Sequence, residues 1–134
     1  MGVGKKVPCL VKHKTGCVQR TMAYGCALGL TESVNYLLEK GVEKIYAHNL
    51  AIADLLIEGL DSLNAEIISP AKKEERSSIV SARIPGTNPK EIAKKLSDAG
   101  IIISQRNDFI RFSPHLYNDS DDIESVLERL RRII

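Results

Sequence analysis

Residues 109–134, FIRFSPHLYNDSDDIESVLERLRRII, change period partway along, and this switch constrains the fold more than any other feature of the chain. In residues 109–113, Ile110 and Phe112 flank Arg111 with the two-residue alternation of a strand, so Arg111 projects from the face opposite the two apolar side chains. A turn through Pro114, His115, Tyr117 and Asn118 follows. Beyond it, Ile123, Val126, Leu127, Leu130 and Ile134 recur every three or four residues, the apolar stripe of a helix. Asn118 or Ser120 is the expected cap. Asp119, Asp121 and Asp122 suit the positive start of that helix, and Arg129, Arg131 and Arg132 its negative end. A one-faced strand joined to a one-faced helix must bury both faces together, which points to a layered domain.

The preceding residues extend the pattern. Leu28, Leu30, Val34, Leu37 and Leu38 fit a helix from Ala27 that Gly41 stops. Val42, Ile45, Tyr46, Asn49, Ala53, Leu56, Leu60 and Leu63 fit a second, ending near residues 63–64. Residues 65–69 form a short strand stopped by Pro70, and residues 72–76 a charged surface loop. In residues 78–84, Ile79, Ser81 and Arg83 alternate with Val80, Ala82 and Ile84, as in a strand with one buried face. Asn88 as cap, Pro89 at the first helical position and Glu91 two residues later open a third helix, which Gly100 ends. Residues 101–104 read as a strand, 105–108 as a turn and 109–113 as its hairpin partner. The order α-α-β-β-α-β-β-α predicts an α+β fold: a small, mainly antiparallel sheet with helices on one face.

Composition separates an arm from this domain. Residues 1–26 hold Lys5, Lys6, Lys12, Lys14 and Arg20, no acidic residue, and all three cysteines. We read 1–26 as a basic arm and 27–134 as the folded domain. Cys9, His13 and Cys17 share helical spacing and with Cys26 could supply four metal ligands. An odd cysteine count in a chain with no secretory signal favours reduced cytosolic thiols instead, so no metal is expected. No apolar run approaches the roughly 18 to 20 residues of a membrane span, and a cytoplasmic location is expected. The arm has one aromatic, Tyr24, and the sequence pI of 8.4 is not extreme, which argues against nucleic acid as a partner.

Arg111 is the leading candidate for chemistry, because a guanidinium offers a planar fork of donors that matches a carboxylate. Taken alone, an outward arginine on a strand is a solvated residue. The segments GVEKIYAHNLAIADLLIEGL, SIVSARIPG, PKEIAKKLSDAGIIIS and RFSPHLYN resemble, in this order, the small C-terminal domain of class V aminotransferases. That family of fold-type I pyridoxal-phosphate (PLP) enzymes includes cysteine desulfurases and isopenicillin-N-epimerase-like proteins. The resemblance covers residues 27–134 and is most specific at its end. It implies that Arg111 holds the α-carboxylate of an amino-acid substrate, with Asn118 and His115 serving as helix cap and turn residue.

The resemblance also implies a large domain carrying the PLP lysine, an acid for the pyridine nitrogen and phosphate-binding residues, normally more than about 200 residues long. No such domain is found in this sequence. His13-Lys14 is similar in two residues to the family's His-Lys signature, which makes Lys14 a remote candidate for the PLP lysine; a lysine-rich arm is the preferred reading. The expectation is therefore a truncated, excised or split-enzyme piece that binds no PLP and is not catalytic alone. Its partner would be a PLP-binding large domain or subunit, and self-association would cover its exposed apolar face. The turn at 105–108 lacks the cysteine of desulfurases, so persulfide chemistry is not expected and the aminotransferase or epimerase-like branch fits better. Arg106, at the hairpin tip, could reach a phosphate or a partner, against the plainer reading of a solvated turn arginine. His48 reads as packed or partner-facing. No Ser-His-Asp spacing, phosphate loop or carboxylate pair stands out. The alternative function is a non-enzymatic small-ligand or dimerisation module.

Overall fold

The computed structural model describes residues 12–13, 16–17 and 23–134. The readings of Cys9, of the His13 and Cys17 side chains and of Lys14 lie outside these. The chain divides into two compact units, 1–39 and 40–134. In the first, strands β1 (Lys12–His13) and β2 (Gly16–Cys17) pair antiparallel. Helix α1 spans Tyr24–Lys40, beginning three residues before the expected Ala27, and none of its residues is buried. Among the described residues no helix is long and apolar enough to cross a membrane.

The second unit contains α2 (Val42–Asp61), β3 (Glu66–Ile67), β4 (Val80–Arg83), α3 (Pro89–Asp98), β5 (Ser104–Arg106), β6 (Phe109–Phe112) and α4 (Ser120–Ile133). Its sheet is wholly antiparallel, in the order β3-β4-β6-β5. The central strands β4 and β6 bury Val80, Ala82, Ile110 and Phe112, alternate residues of each, against Leu56 and Leu60 of α2, Ile92 and Leu96 of α3, and Ile123, Leu127 and Leu130 of α4. Each fully buried Leu or Ile of this cluster contributes about 1.5–3 kcal/mol relative to exposure. This is the α+β layering that the alternating patterns predict.

Local chemistry sets the element ends. Gly41 (φ 87°) and Gly100 (φ 81°) take left-handed conformations where α1 and α3 stop, a region that costs a β-carbon-bearing residue energy. Asn88 caps α3 by accepting a hydrogen bond from the Lys90 amide at 3.0 Å, with Pro89 next. The α4 cap is Asp119 rather than Asn118 or Ser120. Its carboxylate accepts from the amides of Asp121 and Asp122, and Asp122 accepts from the Asp119 amide, a complete capping box. Four consecutive residues, Asn118 to Asp121, are all competent caps by type, so composition does not select among them.

Four further readings are revised. The strand expected at 101–104 begins only at Ser104; Ile101 and Ile103 pack against the core outside the ladder. The turn contracts to Asn107 and Asp108, with Asn107 at φ 47°, a conformation asparagine tolerates. The charged loop is not wholly solvated. The Arg76 side chain is 10% exposed and its Nη2 lies 2.9 Å from Asp54 Oδ1, while Lys73 Nζ lies 2.9 Å from Oδ2. The hydrogen bond from Lys73, with the charge of Arg76 behind it, holds the Asp54 carboxyl below its usual pKa. In α2 the inward row starts at Ile52; Val42 and Tyr46 are exposed.

Helices α2 and α4 pack tightly at Gly59, where an added β-carbon would lie 2.1 Å from Leu127 Cδ1 and 2.9 Å from its Cγ. Because Leu127 is buried, its branch point must shift to make room. Gly59→Ala should therefore destabilise the unit by about 1–3 kcal/mol, although alanine favours helix by about 1 kcal/mol over glycine. Urea unfolding monitored by circular dichroism checks this; an unchanged or raised midpoint would contradict the packing.

Candidate carboxylate site on the open face of the sheet

The pairing of β6 with both neighbours builds the site. Directly opposite residues on antiparallel strands share a face, with β-carbons about 4.5–5.5 Å apart. Arg111 stands opposite Ser81 of β4 on one side and Ser104 of β5 on the other. Both cross-strand neighbours are small. Arg83, opposite Glu66, and Phe109, opposite Arg106, belong to the same face. The helices cover the other face, so this row is the sheet's polar side.

The cations of this row differ in their partners. Arg83 donates through Nε to Asp108 Oδ2 at 2.9 Å, approaches the same oxygen through Nη2 at 2.7 Å, and binds Glu66 through Nη1. The bond to Glu66, followed by that to Asp108, raises the Arg83 pKa above its ordinary value. These contacts tie the hairpin turn and β3 to β4. Arg111 has no such partner. Its Nε is buried and without a hydrogen-bond acceptor, and no carboxylate among the described residues pairs with it. A buried donor left unmet costs about 1–3 kcal/mol. Arg76 Nε and Asn49 Oδ1 are unmet in the same way, but Arg76 is ion-paired to Asp54, so what sets Arg111 apart from the other arginine is its lack of any ion pair among the described residues.

The closing turn is held by its own hydrogen bonds. Asn118 Oδ1 accepts from the His115 amide and its Nδ2 donates to Asp122 Oδ2, each at 3.0 Å. His48 Nε2 lies 2.9 Å from the Asn118 carbonyl oxygen; a carbonyl only accepts, so Nε2 carries the proton. His115 stacks obliquely near Tyr117, with ring centroids 5.8 Å apart, and stays exposed. None of the three stands on the Arg111 row. Arg106 does, at the strand end beside the turn, and is exposed with no ion pair among the described residues.

A groove of about 240 Å³ opens on the helix side of the sheet, lined by Leu56, Ile101, Ile103, Phe112, Pro114 and Val126 among others. Its one charged lining group, Asp122, is committed to the α4 cap, so the groove offers an anion no donor side chain of opposite charge. The described residues do not fit PLP either. Every described lysine is exposed, and no polar or charged residue is buried as a cofactor lysine with its paired acid would be. Cys26 is exposed, and no group of three or more metal-ligating side chains forms among the described residues.

This helix-covered antiparallel sheet with a polar outer face is the C-terminal small domain of class V aminotransferase-like, fold-type I PLP enzymes. The family model described as "Kynureninase C-terminal domain" matches residues 45–130, and the chain belongs to that family. A probable cysteine desulfurase of Pyrococcus abyssi is 24% identical over 123 residues, covering 82% of this chain and 31% of the relative. One of Streptomyces coelicolor is 30% identical over 78 residues, covering 58% of this chain and 19% of the relative. Among solved structures, the apo cysteine desulfurase of Thermococcus onnurineus NA1 superposes with a TM-score of 0.81 at 24% identity, covering 86% of this chain and 32% of that one. A NifS-like protein gives 0.79 at 22% identity, covering 98% and 40%. The chain thus spans less than a third of the first of these curated relatives.

An arginine kept for a ligand rather than for folding has a measurable signature. Arg111→Met, which keeps the stem and removes the unmet donors, should leave stability unchanged or raise it by about 1 kcal/mol. Guanidinium unfolding measures this, and a loss above about 1 kcal/mol would assign Arg111 to the scaffold.

Proposed function

We propose that this chain carries the carboxylate-recognition element of a PLP-dependent class V enzyme acting on amino acids, with Arg111 as the residue that holds the substrate's α-carboxylate. The single observation behind this is the contrast between two arginines of one sheet face. Arg83 is bound by two carboxylates, whereas Arg111 presents a partly buried guanidinium with an unmet Nε and no counter-ion among the described residues. A carboxylate arriving from outside would supply the missing acceptor, as two charge-assisted bonds to the planar fork. Family membership supports the choice, because the relatives are PLP enzymes in which a larger domain accompanies this small one.

PLP supplies an electron sink when bound, and the described residues hold no site for it; that task falls to a PLP-binding large domain or subunit. The role of this chain is to fix the carboxylate end of the substrate and so orient the α-carbon, a positioning contribution. The β5–β6 turn, Asn107-Asp108, holds no cysteine, which favours amino-group or related chemistry over persulfide formation at this turn. The chain by itself is then a binding element and not a catalyst.

Titration of the 134-residue chain with L-alanine and with propionate, followed by amide chemical shifts, tests the reading. Saturable shifts should centre on residues 81, 104 and 111, and Arg111→Gln should weaken both ligands at least about tenfold, the scale of one charged hydrogen bond. Equal affinity in a folded Arg111→Gln variant would sink it.

A further inference from the structure

The sheet face carries a second guanidinium that the fold does not use. Arg106 stands opposite Phe109, two residues along β6 from Arg111, and so lies diagonal to Arg111 across the β5–β6 hairpin. Diagonal neighbours on a sheet face are about 7–8 Å apart, within reach of two arginine side chains. The nearest acid in sequence, Asp108, is held by Arg83 at 2.7 and 2.9 Å and is not on Arg106. Both carboxylates of the face, Glu66 and Asp108, are thus spent on one of its three arginines. The other two, Arg106 and Arg111, have no ion pair among the described residues. Flanking that diagonal, opposite Arg106 and next to Arg111 along β6, sits Phe109, half-buried, an apolar surface suited to a short carbon chain.

We infer that the Arg111 site takes substrates with a second acidic group: Arg111 holds one carboxylate, Arg106 the other, and Phe109 the carbons between. The substrate class is a dicarboxylic amino acid or an analogue with a second anion at similar spacing. This rests on the proposal that Arg111 binds a carboxylate. The Arg83–Asp108 contact has a part in it, because an Asp108 released from Arg83 would be free to neutralise Arg106 two residues away. An exposed turn arginine would also be expected for solubility alone. What separates the two readings is its place on the row of the other unpaired cation.

Comparing succinate with propionate on the full 134-residue chain tests the inference. The wild-type protein should bind succinate about two- to fivefold more tightly, the range of an added exposed ion pair. Arg106→Gln should remove that excess and leave propionate affinity unchanged. Arg106→Lys should retain part of it. Arg131→Gln, which loses the same charge on an exposed turn of α4, should retain all of it. If propionate binds through Arg111 but the succinate-to-propionate ratio is the same in wild type and Arg106→Gln, the second subsite is wrong and the Arg111 site stands. An equal loss of the ratio in Arg131→Gln would reduce the effect to net charge and also overturn the subsite. If propionate binding is absent, or unaffected by Arg111→Gln, the carboxylate site itself fails and this inference falls with it.

Discussion

The pairing of β4 with β6 is the constraint on which the rest of the unit depends. Its register sets Ala82 opposite Ile110 and Val80 opposite Phe112, and so delivers four apolar side chains to the face that α2, α3 and α4 cover. The same register sets Ser81 opposite Arg111 on the other face. A slip of one residue would send Arg111 into the core and Ile110 into water, so the hydrophobic core and the position of the guanidinium are specified together. The helices enforce this arrangement, because the close contact of Gly59 with Leu127 leaves α2 and α4 little freedom to slide.

The polar face is organised by unequal sharing of charge. Glu66 and Asp108 converge on Arg83 and fasten β3 and the hairpin turn to the central strand. That leaves Arg111 with buried, unmet hydrogen-bonding capacity beside two serines. An unmet buried donor costs more than an apolar substitute of similar shape. Under the proposed function, a substrate carboxylate supplies the acceptor that this group lacks.

Much of this was legible in the sequence. Alternation in 78–84 and 109–113 placed Arg83 and Arg111 on the outward faces of their strands, and the 3.6-residue stripes located the helices, because one-faced burial imposes both periods. What could not be read were relations between segments far apart in the chain. Nothing local shows that Ser81 and Ser104 flank Arg111, that Glu66 reaches Arg83 from another strand, or that Arg76 leaves its charged loop to pair with Asp54. Register and long side-chain reach decide these, and neither has a short-range signal. The α4 cap is illegible for a different reason: Asn118, Asp119, Ser120 and Asp121 compete by type, and only backbone geometry selects Asp119. Residues 101–104 read as strand because β-branched residues favour it, but only Ser104 joins the ladder, and tertiary packing uses Ile101 and Ile103 as plugs against the core.

The most direct measurement is of the Arg111 guanidinium itself. In a nitrogen-15-labelled sample, the Arg111 Nε–H resonance should move downfield and exchange more slowly with solvent as an amino-acid carboxylate is added, while the Arg83 Nε–H, already bound to Asp108, stays in place. An Arg111 resonance that is unmoved at saturating carboxylate, or that moves no more than the Arg83 resonance, would contradict the account.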